Sequence, residues 1–307
     1  MRVAVYGTGG IGGYFGGRLA RGGVDVSFIT RGSQLAALRT DGLRVVSVHG
    51  DFELNPVTVT DDPGEIGPVD HVLVTVKSFH TDDVAPRLAP LLHEDTAVVS
   101  LQNGVDNEEK LAAAVGAEHV VGGAAYIFST VSRPGVIEHT GGPTSIVVGE
   151  WCGGRSDRVG RLVQACRAAG FGADEDEDIR SRLWNKLAFI CAQAGTTAAI
   201  RLPIGEIRAA PASRELFHRI AAEVCAVARA EGVDLPTDLP DRYLAFADGL
   251  PADVTSSLHH DLTHGNRMEL EALLGDVVRR GERTAVDTPM SEALYAVLQP
   301  WQLRNSR

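Results

Sequence analysis

The run Gly7-Thr8-Gly9-Gly10-Ile11-Gly12 fits the spacing G-x-G-x-x-G and sits between an apolar, partly β-branched stretch, Arg2 to Tyr6, and a helix-compatible stretch from Ile11 to Arg21. Strand, glycine turn and helix in that order narrow the fold more than any other feature of the chain. Gly7 permits the tight turn, Gly9 lets backbone approach a pyrophosphate, and Gly12 lets the helix pack closely on the strand. The free N–H groups at the helix start then face the phosphates. A merely flexible turn is the alternative. The alternation that follows favours dinucleotide binding by Gly7, Thr8, Gly9, Gly10, Ile11 and Gly12.

That alternation runs on. Val24 to Thr30 reads as a strand, Gln34 to Thr40 as a short helix, and 43–48 and 53–60 as short β-like runs joined at His49-Gly50-Asp51. Asp70 to Val76 is a further strand, Val84 to Leu92 a helix kept short by Pro86 and Pro90, Thr96 to Ser100 a strand and Asn107 to Val115 a helix. Alternation of this kind predicts an α/β fold, a Rossmann-type, doubly wound and largely parallel sheet with helices on both faces. After Ala117 three β segments follow (VVGGAAYIFSTV, GVIEHT, TSIVVGE), then a helix from Arg155 to Ala169 and a β-like piece at Phe171. The acidic run Asp174 to Asp178 reads as a solvated connection. Beyond Ile179 only helices are predicted, at 179–200, 211–231, 239–248, 266–281 and 289–299. With 307 residues exceeding what one core usually organises, the division is an α/β domain at 1–177 and an all-helical domain at 178–307.

Charge and cysteine usage exclude several functions. Lys+Arg 29 against Asp+Glu 40 leaves a net charge of −11, which repels nucleic-acid phosphates and anionic lipid, so neither is expected as a partner. Cys152, Cys166, Cys191 and Cys225 form no C-x-x-C pair, which argues against a zinc site or a disulfide framework and fits a reducing cytoplasm. No segment approaches the roughly 20 apolar residues of a membrane span. His259, His260 and His264, with Asp261 nearby, lack a further ligand, so no metal is expected.

The end of the second strand selects the dinucleotide. An Asp or Glu there would bind the ribose hydroxyls of NAD, but the strand ends Ile29-Thr30-Arg31. A guanidinium can take a 2′-phosphate in a bidentate, charge-assisted contact, which favours NADPH and makes residues 1–177 an NADP-binding domain. Arg31 as a solvated loop cation is the alternative. Lys77 and Asn103 follow the fourth and fifth strands, at carboxyl ends where an open α/β sheet places its ligands, and both are candidates for contact with cofactor or substrate.

These features, taken with Val76-Lys77-Ser78, Leu101-Gln102-Asn103-Gly104, Trp184-Asn185-Lys186-Leu187, Ser256-Ser257-Leu258 and the Glu269 to Gly275 stretch, resemble in order the signatures of the ketopantoate reductase (2-dehydropantoate 2-reductase) family over nearly the whole chain. The resemblance implies NADPH-dependent reduction of a 2-oxo acid to a 2-hydroxy acid, with residues 178–307 as the substrate-binding domain and the site enclosed between the two domains. By position, Lys186 resembles the family's general acid, Glu269 the carboxylate that interacts with it, and Ser257 the hydroxyl that binds the substrate carboxylate region. Read without the resemblance, Lys186 could equally be a snorkelling lysine, Glu269 a solvated helix residue and Ser257 a helix cap.

One departure bears on substrate. Family members that reduce ketopantoate generally carry asparagines four and eight residues after the lysine, on the same helix face. Here those positions are Ile190 and Ala194. Hydrocarbon in place of two amides removes hydrogen-bond partners and makes the pocket more apolar, while Gln193 and Thr197 fall close to the same face and can supply partly equivalent contacts. A more apolar 2-oxo acid or ketone is therefore expected on a par with ketopantoate. The rival is a non-catalytic NADP(H)-binding protein on the same fold, against which the joint retention of Lys186, Ser257 and Glu269 speaks. A homodimer is compatible with the sequence, Trp301 being available to its own domain or to a second subunit.

Overall fold

The computed structural model describes residues 1–306, which divide into two compact units: residues 1–102 with 107–179, and residues 103–106 with 180 onward. In the first unit the chain runs β1 (Arg2–Tyr6), α1 (Gly10–Arg21), β2 (Asp25–Ile29), α2 (Gly32–Asp41), β3 (Leu43–Ser47), β4 (Phe52–Leu54), β5 (Thr58–Thr60), β6 (His71–Val74), α3 (Thr81–Val84), β7 (Ala97–Ser100), α4 (Asn107–Val115), β8 (Val120–Arg133), β9 (Val136–Glu150), α5 (Asp157–Ala168) and β10 (Gly172–Glu175). The second unit is helical: α6 (Ile179–Ile200), α7 (Ile204–Ala209), α8 (Pro211–Ala230), α9 (Leu239–Gly249), α10 (Ser257–Thr263), α11 (Leu274–Thr284) and α12 (Pro289–Asn305).

All ten strands form one sheet in the order β4-β3-β9-β8-β7-β6-β1-β2-β5, with β10 added on β9. From β5 to β8 every pairing is parallel, whereas β8 with β9 and β3 with β4 are antiparallel. Parallel strands bury both faces, and β1 displays this residue by residue. Val3 and Val5 enter a core with Tyr14, Phe15 and Leu19 of α1 and Val159, Leu162 and Cys166 of α5. Ala4 and Tyr6 enter the opposite core with Leu88, Leu91 and Leu111. The doubly wound α/β sheet followed by an all-helical region is the fold expected from the sequence.

Several local expectations are corrected. The last two of the three predicted β segments form a single strand, β9, running through Gly141-Gly142-Pro143; Gly141 (φ +149°), Gly142 (φ +91°) and Thr144 (φ +54°) bend it without ending it, and the register against β8 shifts there. The segment 84–92 is not a helix but two 3-10 turns, Ala85–Arg87 and Ala89–Leu91, each with a proline in its first turn. Asp174, though exposed, and Glu175 belong to a strand and not to a connection. They close β10, which pairs in parallel with β9, and Asp174 takes an ion pair from Arg167 at 2.7 Å. In the second unit, residues 266–269 precede α11 rather than belong to it, and α7 and α10 are short helices beyond those predicted. Among the described residues no helix is long and apolar enough to cross a membrane.

Candidate functional site

The glycine turn is fixed by the ends of β2 and β6, the strands on either side of β1. The amide of Gly7 donates to Ile29 O at 2.9 Å, and its φ of +103° belongs to the left-handed region, where a Cβ would also lie 2.7 Å from Val76 N. Thr75 Oγ1 donates to Gly7 O at 2.5 Å and fixes the loop from β6. A Cβ on Gly12 would collide with Gly7 O and Thr75 Oγ1, and one on Gly10 with the backbone of Ser129 in β8. Gly9 differs: nothing lies within 4 Å of where its Cβ would stand, and it caps α1 with no side-chain hydrogen bond. The turn thus offers an uncapped helix start with open space beside it, the form a pyrophosphate requires. Thr8 is buried with Oγ1 lacking a protein partner, its carbonyl accepts from Gln34 Nε2 at 2.9 Å, and Ile11 is half-buried.

Arg31 is exposed at the head of α2. Its Nη2 lies 3.3 Å from Nε2 of His80, and Nδ1 of His80 lies 3.4 Å from Asp83 Oδ2. His80 ends the 3-10 turn Ser78–His80, which Lys77, exposed, leads into from β6. Gln102 pins this turn, donating through Nε2 to Val76 O at 2.9 Å and to Thr81 Oγ1 at 2.8 Å, and Thr81 Oγ1 donates to Asn107 Oδ1 at 2.9 Å. Arg31 and Lys77 therefore belong to neighbouring loops at the carboxyl edge of the parallel strands, and His80 is a member of this group that the sequence reading passed over.

In the second unit, α6 carries Lys186, half-buried, with Leu183, Trp184 and Leu187 buried around it. Lys186 Nζ donates to Asn103 Oδ1 at 3.1 Å. Ile190, Gln193, Ala194 and Thr197 follow at four, seven, eight and eleven residues, so the helical period puts all of them on the lysine's side of α6. Gln193 and Ala194 are buried and Ile190 half-buried. Tyr243 Oη donates to the Asn185 backbone carbonyl at 2.8 Å and also contacts Asn185 Oδ1, tying α9 to the residue before the lysine.

The helix cap is Ser256, not Ser257. Ser256 Oγ accepts from His259 N at 3.1 Å, while Ser257 is the exposed first residue of α10. Thr197 Oγ1 donates to Gln193 O at 2.7 Å and lies 2.9 Å from Ser256 Oγ, so the proton in that second contact comes from the serine. The hydroxyl pair fastens the start of α10 to the lysine helix. Glu269 is buried at 8% exposure and stands before the 3-10 turn Leu270–Ala272, outside any α-helix; Leu273 then caps α11, which begins at Leu274.

Beneath this face Arg280 is buried, 2.7 Å from Asp276 and 3.2 Å from Glu231, with its guanidinium 5.6 Å from the Trp184 ring centre. Burial holds the Asp276 carboxyl above its usual range, against the pull of Arg280. Burial likewise pushes the Cys191 thiol upward, which leaves it inert. His260 and His264 stack at 4.0 Å, and among the described residues no group of three His, Cys, Asp or Glu could hold a metal ion. Trp301 lies under Arg201, 4.1 Å from ring centre to guanidinium, within its own unit.

Comparison with known proteins covers the whole chain. The sequence model described as ketopantoate reductase PanE/ApbA matches residues 3–153, and that of the ketopantoate reductase PanE/ApbA C terminal matches residues 178–302. A Bacillus subtilis protein named uncharacterized oxidoreductase YkpB is 32% identical, with 98% of this chain and 99% of the relative covered. The 2-dehydropantoate 2-reductase of Mesorhizobium japonicum is 31% identical over 97% of each. The crystal structure of 2-dehydropantoate 2-reductase from Geobacter metallireducens superposes with a TM-score of 0.91 at 33% identity, covering 98% of this chain and 99% of the other.

Proposed function

The chain belongs to the ketopantoate reductase family and is an oxidoreductase of that kind, and from this we propose that it reduces a 2-oxo acid or related ketone to the hydroxy product with NADPH. The observation that carries the reading is the hydrogen bond from Lys186 Nζ to Asn103 Oδ1 at 3.1 Å, which fixes an ammonium group on the helix face shared with Ile190, Gln193, Ala194 and Thr197.

When bound, a reduced nicotinamide would supply hydride to the carbonyl carbon. Negative charge then grows on the carbonyl oxygen, and Lys186 hydrogen-bonds that oxygen, stabilises the charge and delivers its proton. Asn103 holds the ammonium by its side-chain oxygen. Glu269 takes the part of the carboxylate that interacts with the lysine. Ser257 receives the substrate carboxylate, its position set by the Ser256–Thr197 hydroxyl pair. Residues 178–307 act as the substrate-binding part and residues 1–177 as the NADP-binding part.

The glycine turn fits the cofactor, because Gly9 opens onto free space at an uncapped helix start while Gly7, Gly10 and Gly12 admit no side chain. Arg31, exposed at the head of α2, takes the adenosine 2′-phosphate, and Lys77 adds a second cation nearby. Ile190 and Ala194 present hydrocarbon where the amides of ketopantoate-reducing relatives stand, so the preferred substrate carries an apolar substituent beside its 2-oxo acid group.

The test is NADPH oxidation, followed by absorbance, over a panel of 2-oxo acids and ketones that includes ketopantoate and branched or aromatic analogues. Turnover is expected, with apolar substrates preferred. Tight NADPH binding with no turnover anywhere on the panel would favour a non-catalytic NADP(H)-binding protein.

A further inference from the structure

The contact between Arg31 and His80 defines a proton state. A guanidinium has five donors and no acceptor, so at 3.3 Å Arg31 Nη2 must be the donor and His80 Nε2 the acceptor. The ring proton is then on Nδ1, which lies 3.4 Å from Asp83 Oδ2 and donates to it. His80 thus turns its Nε2 lone pair toward the cation that the proposed function assigns to the 2′-phosphate.

A phosphate dianion placed on Arg31 reverses the demand at Nε2. An acceptor-only group with three oxygens arrives where the lone pair points, and a neutral imidazole in this tautomer has nothing to offer it. Taking one proton from solvent onto Nε2 turns His80 into an imidazolium that donates to the phosphate, while Asp83 balances the charge at Nδ1. We propose that His80 is a second 2′-phosphate-binding residue, which gains a proton when the phosphate binds and so makes the preference for NADPH over NADH depend on pH. The inference rests on the NADPH reading above. The charged groups beside it are Arg31 at the head of α2 and Asp83 on α3, and Arg31 also acts, with Arg87 and Asp62, on the Tyr6 hydroxyl. His80 also packs edge-on against Phe79 at 4.8 Å.

Linkage fixes the sign. Binding that takes up a proton strengthens as pH falls, by at most about tenfold per pH unit. The phosphate itself works in the opposite direction, since it begins to protonate near pH ~6, so the comparison is between wild type and His80→Gln across pH 6.5–8.5. Glutamine keeps a polar side chain of similar reach but cannot be protonated.

The probes are 2′,5′-ADP, 5′-AMP and NADH, titrated calorimetrically in two buffers of different ionisation enthalpy. Wild type is expected to take up more protons than H80Q on binding 2′,5′-ADP, and its preference for 2′,5′-ADP over 5′-AMP is expected to rise severalfold more steeply toward low pH. An unchanged thermal melting midpoint for H80Q reports an intact fold, and NADH is titrated alongside as the cofactor without the 2′-phosphate. Equal proton uptake and equal pH slopes in the two proteins, with 2′,5′-ADP still much preferred, overturn the role of His80 and leave the NADPH reading standing. No preference for 2′,5′-ADP over 5′-AMP in wild type removes the NADPH reading and this inference with it.

Discussion

Lys186 and Asn103, 83 residues apart in sequence, meet through an Nζ–Oδ1 hydrogen bond of 3.1 Å. One comes from the third turn of a long helix and the other from the loop after β7, so the pair is a product of folding and not of local sequence. Replacing the lysine by alanine is expected to lower kcat by about 10²–10⁴, the usual span for a lost general acid, with NADPH affinity retained. Asn103→Ala leaves the ammonium in place but unaimed, a loss nearer tenfold for one hydrogen bond. Steady-state kinetics with a parallel NADPH titration separates the two, and near wild-type turnover by K186A would defeat the proposed chemistry.

Arg31→Ala should weaken NADPH by roughly 10–100-fold, as removal of charge-assisted hydrogen bonds to a phosphate usually does. NADH has no 2′-phosphate and should lose little. Dissociation constants for both cofactors test this, equal losses being the contrary result.

Substituting within the glycine turn should split stability from binding. Gly9→Ala places a methyl in open space and is expected to fold normally while obstructing the cofactor. Gly12→Ala drives a methyl into Gly7 O and Thr75 Oγ1 and is expected to cost several kcal/mol of stability, in the manner of other backbone overpacking. Thermal melts with and without NADPH read both effects; a G12A protein as stable as wild type would contradict the packing described.

Ile190→Asn together with Ala194→Asn should raise kcat/KM for ketopantoate and lower it for substrates with apolar substituents. The measure is the ratio of the two values, because a site that pairs a substrate hydroxyl discriminates far more sharply than one that only encloses hydrocarbon. An unchanged ratio would detach α6 from substrate choice.

Stability should fall as pH drops below about 6.5. His71 is fully buried, donates through Nε2 to Arg158 O at 2.9 Å and has no protein partner at Nδ1, and burial holds it below the usual imidazole range. Burial depresses His139 in the same direction. The unfolded chain binds these protons first, so stability is complete above the unfolded value and declines through the window between it and the folded one, by at most about 1.4 kcal/mol per pH unit for each histidine. Urea midpoints at pH 7.5 and 5.5 measure the decline, and His71→Gln should reduce it.

Strong local patterns carried most of the fold into view. The helix 179–200 was legible to the residue because its apolar positions recur with helical period and Arg201-Leu202-Pro203 ends it. Asn107–Val115 was equally plain. The glycine turn announced itself because three of its glycines are forced by backbone contacts. What escaped depends on distant chain. No local signal distinguishes Ser256 from Ser257 as the cap; the choice follows from Thr197, 59 residues away. His80 carries no motif, and only the approach of α2 gives its ring a partner. Glu269 looks helical in sequence because Leu270, Leu273 and Leu274 share its spacing, yet Leu273 adopts φ −104°, ψ −104°, which breaks the helix there.

Residues 103–106 are grouped with the helical unit although the polypeptide on either side of them belongs to the sheet. The covalent thread therefore enters the helical unit twice, first for four residues and later for good. Severing the gene near codon 178 would separate Lys186 from the side-chain oxygen it holds, and neither fragment would own the complete pair proposed to deliver the proton. Swapping helical units between relatives thus calls for exchanging this tetrapeptide along with the carboxyl-terminal portion.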